Sequence, residues 1–154
     1  AGLVGSDHSG YNETLRDRVC AVSNKTHYNE MNVISMHALI GAYQPQGYEW
    51  VDELNQVLAG NIEYFCDYVD EHFEGVSYSR PQGTYMVFLD CTEWCREHGR
   101  DIQWLLDEGA RVGVGYQDGR PFHGPCHIRV NLALPLLRVR EACDRLDRYV
   151  FNAR

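Results

Sequence analysis

The apolar residues of this chain change spacing near residue 75. From Glu49 to Phe73 they recur every three or four positions: Trp50, Leu54, Val57, Leu58, Ile62, Phe65, Val69 and Phe73 form one stripe. That spacing predicts a helix of roughly 25 residues, nearly 40 Å long at about 1.5 Å per residue. Glu49, Asp52 and Glu53 suit its positive amino end, and Gly75 suits its close. After Gly75 the period becomes two. Val76 to Ser79 reads as a strand, Arg80-Pro81-Gln82-Gly83 as a turn, and Thr84 to Asp90 as a second strand. The second strand is apolar on both faces, which predicts a central position. Asp101 caps a predicted helix to Glu108, closed by Gly109. Val112 and Val114 mark a third strand, and 117–125 an irregular loop containing the Asp118-Gly119 turn. Pro135 opens a last helix with Val139, Ala142, Cys143, Leu146 and Val150 inward.

The first 47 residues show no strand pattern. Ala1 to Gly10 is rich in glycine and serine. Asn12 is placed to cap a helix to about Val22, with Leu15, Val19 and Val22 on one face; Ser23 to Asn29 reads as polar loop. Asn29 is placed to cap a second helix to about Tyr43, ended by Pro45-Gln46-Gly47. Helices plus a small mixed sheet of about four strands predict an α/β (α+β sandwich) architecture from about residue 49 onward.

The fourth strand carries the sharpest chemical signal. In His127-Ile128-Arg129-Val130-Asn131-Leu132-Ala133-Leu134, the residues Ile128, Val130, Leu132 and Leu134 face one way, while His127, Arg129, Asn131 and Ala133 face the other. An arginine keeps its proton, so a partly buried one needs an anion. Its planar fork matches a carboxylate or phosphate through two parallel hydrogen bonds. A structural acid would satisfy it as well as a ligand, and spacing alone leaves both open.

Composition narrows the partners. The chain has 154 residues and a formal net charge of −8. Lys25 is its sole lysine, and the arginines are scattered among more numerous acids, with no basic stripe for nucleic acid. No apolar run approaches the roughly 18 residues of a membrane span, and the start lacks the charged and apolar regions of a signal peptide, so a cytoplasmic protein is expected. Six cysteines are then expected as free thiols, with Cys20, Cys66 and Cys143 on apolar helix faces. Cys91, Cys95 and His98 make a C-x3-C-x2-H cluster one ligand short of a zinc site, and no metal is expected.

Three segments in this order point to a family. Pro81-Gln82-Gly83-Thr84-Tyr85-Met86-Val87-Phe88-Leu89-Asp90 follows a long connecting helix; a loop with Phe122 and Gly124 comes next; Ile128-Arg129-Val130-Asn131-Leu132-Ala133 precedes a terminal helix. Together they resemble the C-terminal part of fold-type I pyridoxal-phosphate-dependent class I/II aminotransferases, above all the group of cystathionine β-lyase and cystalysin-type C–S lyases. The resemblance implies that 1–47 is the end of the large cofactor-binding domain and 48–154 the small C-terminal domain. It implies pyridoxal 5′-phosphate as cofactor, an amino-acid substrate and a homodimer.

By the same resemblance Arg129 binds the substrate α-carboxylate, with Asn131, Gly83, Thr84 and Tyr85 as further substrate-side candidates. In this family the cofactor's Schiff-base lysine sits in a segment like Ser-Lys-x-Phe-Asn-x that is directly followed by an Ala-Gly-Leu like Ala1-Gly2-Leu3, so the lysine is expected a few residues upstream of Ala1, and the isolated chain is expected to be inactive. Lys25 lies far from that motif. The rival expectation is a free-standing amino-acid-binding or dimerisation module, using the same sheet and Arg129 without catalysis.

Overall fold

The computed structural model describes residues 9–26 and 31–153. The chain falls into two compact units, Ala1–Trp50 and Val51–Arg154. The predicted turn region before Ser9, the Ala1-Gly2-Leu3 motif and the proposed cap Asn29 lie outside the described residues.

In the first unit, α1 (Ser9–Thr26) begins before Asn12, which is therefore inside the helix rather than its cap. It also runs through Ser23 to Thr26, where a loop was expected, and the Thr26 hydroxyl donates to the Val22 carbonyl at 3.0 Å. The apolar face Leu15, Val19 and Val22 is exposed. Helix α2 (Val33–Ala42) is capped by Asn32, whose side chain accepts from the Ser35 N–H at 2.9 Å. It is apolar almost throughout, yet none of its residues is buried. Pro45 opens α3 (Pro45–His72) instead of merely ending α2. Its fixed φ and missing N–H fit a first helical turn as well as they fit a break.

The second unit holds the greater part of α3 and everything after it. Strand β1 (Ser77–Tyr78) is followed by β2 (Met86–Asp90), α4 (Thr92–His98), α5 (Ile102–Arg111), β3 (Gln117–Asp118), a 3-10 turn at Arg120–Phe122, β4 (His127–Asn131), α6 (Leu136–Leu146) and a π-helical turn at Asp147–Phe151. The four strands form one sheet in the order β1-β2-β4-β3. Strand β2 is central, as its two apolar faces predicted. All three pairings are antiparallel, so the sheet is not mixed.

One sheet face is core. Val87, Leu89, Ile128 and Leu132 are fully buried against Phe65, Cys66 and Val69 of α3, Leu105 of α5, and Val139, Cys143 and Leu146 of α6. Phe73 and Phe151 stack at 4.3 Å, and the Trp94 indole N–H donates to the Phe151 carbonyl at 3.2 Å, closing the end of the unit. The predicted inward Leu134 lies beyond β4 and is exposed, as are Trp50 and Val57 from the predicted stripe of α3. Of the three cysteines expected on apolar faces, Cys66 and Cys143 are buried and Cys20 is exposed.

Two local predictions fail for identifiable reasons. Gly109 does not end α5; it sits inside the helix because the Tyr116 ring packs on it, where a Cβ would stand 2.5 Å from Tyr116 Cζ. The helix closes two residues later. Gly113 takes a positive φ of 76°, its N–H bonds the Ala110 carbonyl at 3.0 Å, and the Val114 N–H bonds the Gly109 carbonyl at 2.8 Å. That double bond pattern is a Schellman close, and the left-handed residue within it stops Val112 and Val114 from forming a strand. The third strand therefore starts at Gln117. Helix α4 was missed altogether. Its seven residues bury only Trp94 and Cys95, too few to show a period.

Candidate functional site

Alternation along β4 places Arg129 on the face opposite the core, between buried Ile128 and Val130. Its cross-strand neighbours are Phe88 on β2 and Gln117 on β3. The three residues form one row across the sheet. The half-buried Arg129 Nη1 donates to Gln117 Oε1 at 2.9 Å. The Phe122 ring covers the guanidinium with its centroid 4.7 Å from Cζ. Among the described residues no carboxylate stands within ion-pairing distance of Arg129, whereas Arg80, Arg96, Arg111, Arg120, Arg138 and Arg145 each have one.

The loop after β3 holds Phe122 in place. The Gly119 N–H bonds the His127 carbonyl at 2.9 Å, and the Phe122 and Gly124 N–H groups bond the Gly119 carbonyl at 2.9 and 3.1 Å. His123 takes a positive φ of 62° between them. Arg120 pairs with Asp118 at 2.7 Å and donates to Gln103 of α5 at 3.0 Å, which ties the loop to a core-packed helix. The hydrogen bonds that Arg120 donates to Asp118 keep its carboxyl below the usual carboxylate range.

His127 shares the face of Arg129. Its ring lies against Phe88, centroids 4.6 Å apart, and its Nε2 is 3.8 Å from Asp90 Oδ2. Burial pushes the Asp90 carboxyl up, but hydrogen bonds from the Thr92 hydroxyl and N–H outweigh it, helped by His127, and the net shift is downward. With Ser77, Tyr78 and Ser79 these groups line a cavity of about 310 Å³.

The other candidates fall elsewhere. Asn131 is exposed, and its side-chain oxygen accepts from the Ala133 N–H at 2.8 Å, shaping the turn after β4. Gly83, Thr84 and Tyr85 line a separate cavity of about 480 Å³ against α3, with Arg80 and Glu63 among its polar groups. Thr84 accepts from the Met86 N–H at 3.2 Å, and the Tyr85 carbonyl accepts from the Leu132 N–H at 2.9 Å. Arg129 lines neither of these two cavities. Cys91 and Cys95 are core residues, and the His98 ring stacks on Trp94 at 4.3 Å, so the C-x3-C-x2-H residues serve packing.

Sequence reasoning did not single out Gln117, and placed Phe122 only in a loop. The signal for Phe122 was an apolar ring between turn residues, ahead of an outward arginine. Gln117 lies in a two-residue strand that no periodicity reveals.

The described residues by themselves do not make a pyridoxal-phosphate site. The sole lysine, Lys25, is exposed near the end of α1.

No family model matches the chain. It is 35% identical over 124 residues to a Mycobacterium leprae protein named "Putative cystathionine beta-lyase", a match spanning 70% of this chain and 30% of that protein. The fold matches the PLP-bound C–S lyase from Staphylococcus hominis with a TM-score of 0.71, at 22% identity, over 82% of this chain and 33% of the other. It matches a tetra mutant of Thermus thermophilus aspartate aminotransferase equally, at a TM-score of 0.71 and 19% identity, over 84% of this chain and 34% of that one. By sequence the chain is thus similar to relatives named for cystathionine β-lyase, by fold it matches pyridoxal-phosphate-bound C–S lyases and aminotransferases, and it spans about a third of the length of the relatives it matches.

Proposed function

We propose that this chain is the carboxyl-terminal third of a pyridoxal-phosphate enzyme acting on amino acids, in which Arg129 receives the substrate α-carboxylate. One observation carries the reading. Arg129 is half-buried on the outward sheet face, held by an amide and an aromatic ring, with no carboxylate paired to it among the described residues. A charge in that position is stabilised by an incoming anion, and the fork geometry suits a carboxylate. The similarity to a protein named for cystathionine β-lyase supports the C–S lyase branch over the aminotransferase branch.

Bound cofactor supplies an electron sink at the amino acid's α-carbon. Arg129 supplies orientation: two hydrogen bonds to the α-carboxylate fix which bond at that carbon faces the reacting group. In this reading 48–154 is the small domain and 1–47 the end of the large domain. The cofactor's lysine and phosphate contacts come from the remaining two-thirds of the enzyme, the chain alone is inactive, and the enzyme works as a homodimer. The largely apolar, unburied α2 supports an origin for residues 1–47 inside a larger domain.

The test is Arg129→Ala in the full-length enzyme. Loss of one half-buried charged hydrogen-bonding partner predicts a fall in kcat/KM of roughly a hundredfold or more, with pyridoxal phosphate still bound by its absorbance. Arg129→Lys keeps the charge but loses the fork, and most activity goes with it. Kinetics unchanged in both variants would rule the assignment out.

A further inference from the structure

We infer that Gln117 and Phe122 are positioning residues that hold the Arg129 guanidinium ready for its carboxylate. The inference rests on the reading of Arg129 as the carboxylate receiver. An arginine on a long flexible stem loses much rotational freedom when it is clamped, and that cost falls on substrate binding unless the protein has met it beforehand. Here it has been met from two directions. Gln117 Oε1 fixes Nη1 in the guanidinium plane at 2.9 Å, and the Phe122 ring fixes the plane itself at 4.7 Å. The Nη1–Gln117 bond leaves the Nε and Nη2 edge of the fork for two parallel bonds to a carboxylate.

Neutrality matters as much as contact. A glutamine accepts from the arginine without supplying the negative charge that would compete with substrate. A phenyl ring attracts the cation through its face and offers an incoming carboxylate no rival donor. Both residues sit on the segment pinned to β4 by backbone bonds at Gly119 and Gly124 and to α5 by the Arg120–Gln103 side-chain bond, so the bracket is not carried by the arginine it holds.

The test uses four substitutions in the full-length enzyme loaded with pyridoxal phosphate. Gln117→Leu removes the acceptor, Phe122→Leu removes the ring, Gln117→Glu keeps the acceptor but adds a competing charge, and Phe122→Tyr keeps the ring. Two readouts are taken. One is KM against kcat for the amino-acid substrate. The other is the dissociation constant of propionate, followed by the Arg129 Nε–H signal in nitrogen-15 spectra, which Arg129→Ala identifies by its loss.

The expected result is a rise of roughly tenfold in KM and in the propionate constant for Gln117→Leu and Phe122→Leu. Gln117→Glu, the closest in shape, rises further, because a tethered carboxylate occupies the fork. Phe122→Tyr stays within about twofold of the parent, because the ring is retained. A merely structural glutamine would make Gln117→Glu the mildest change. If the leucine variants and Gln117→Glu all bind propionate as the parent does while Arg129→Ala does not, the bracket is refuted and the carboxylate reading stands. If Arg129→Ala itself binds propionate and substrate unchanged, that reading falls and the bracket with it.

Discussion

Gly124 has almost no room for a side chain. A Cβ there would stand 2.5 Å from Phe88 Cζ and 2.6 Å from His127 Cβ, the two residues that flank Arg129 on the sheet face. Gly124→Ala is therefore expected to push the loop off β4 and destabilise the unit by roughly 1–3 kcal/mol. A lowered urea midpoint would show it, and the Phe122–Arg129 contact should weaken with it. At this scale the sequence was partly legible. Alternation along β4 placed Arg129 correctly, because buried Ile128 and Val130 on either side fix its face. It could not disclose Gln117, whose role depends on register with Arg129, and register is a property of two strands. Asn131 falls on the same face as Arg129 by alternation, yet its side-chain oxygen is engaged by the Ala133 N–H.

At the scale of elements, Asn61 joins the longest helix to the site strand. It is 1% exposed, and its amide donates to the carbonyls of Leu132 at 2.9 Å and Leu134 at 2.7 Å. These carbonyls follow the last residue of β4, where the ladder has ended, and α3 supplies the donors the sheet cannot. Asn61→Leu would strand two acceptors in the core's edge, a loss of roughly 1–3 kcal/mol. Thermal unfolding would read it as a lower Tm, and faster amide exchange would localise it at Leu132–Leu134. The helical stripe of α3 announced the apolar contacts Phe65 and Val69, but apolar periodicity assigns no role to a polar residue such as Asn61. Short elements escaped for a different reason. Seven residues in α4 and two in β3 hold too few repeats to carry a period, whereas the cap Asp101, accepting from the Trp104 N–H at 2.8 Å, was plain from its residue type.

Across the whole molecule, ionisable groups bound the pH range of stability on both sides. Asp118 and Glu141 are held low by hydrogen bonds from Arg120 and Arg138, and Asp90 ends low because Thr92 and His127 outweigh its burial. A lowered carboxyl adds stability that is present above the unfolded value of about 4 and is lost as pH falls through the lower folded value. Burial pushes the Cys66 and Cys91 thiols up, and those of Cys95 and Cys143 up to about 12. A raised thiol adds stability that is fully present below its unfolded value of about 8.5 and is lost as pH rises toward the folded value. The denaturation midpoint is therefore expected to plateau between about pH 5 and 8 and to fall on either side. A midpoint still climbing at pH 10 would contradict the buried thiols. The α+β layering was legible because the switch of period near residue 75 separates helix from sheet. That the sheet is wholly antiparallel was not, since alternation is the same for either direction.

The sheet's outer strands, β1 and β3, are two residues each. A sheet margin that short displays almost no row of open N–H and C=O groups, so it gives a passing strand nothing to zip onto. Association through this unit must then use side-chain surfaces and shape, a recognition that is selective by construction, and the unit is protected from the edge-to-edge stacking that turns small sheets into fibres.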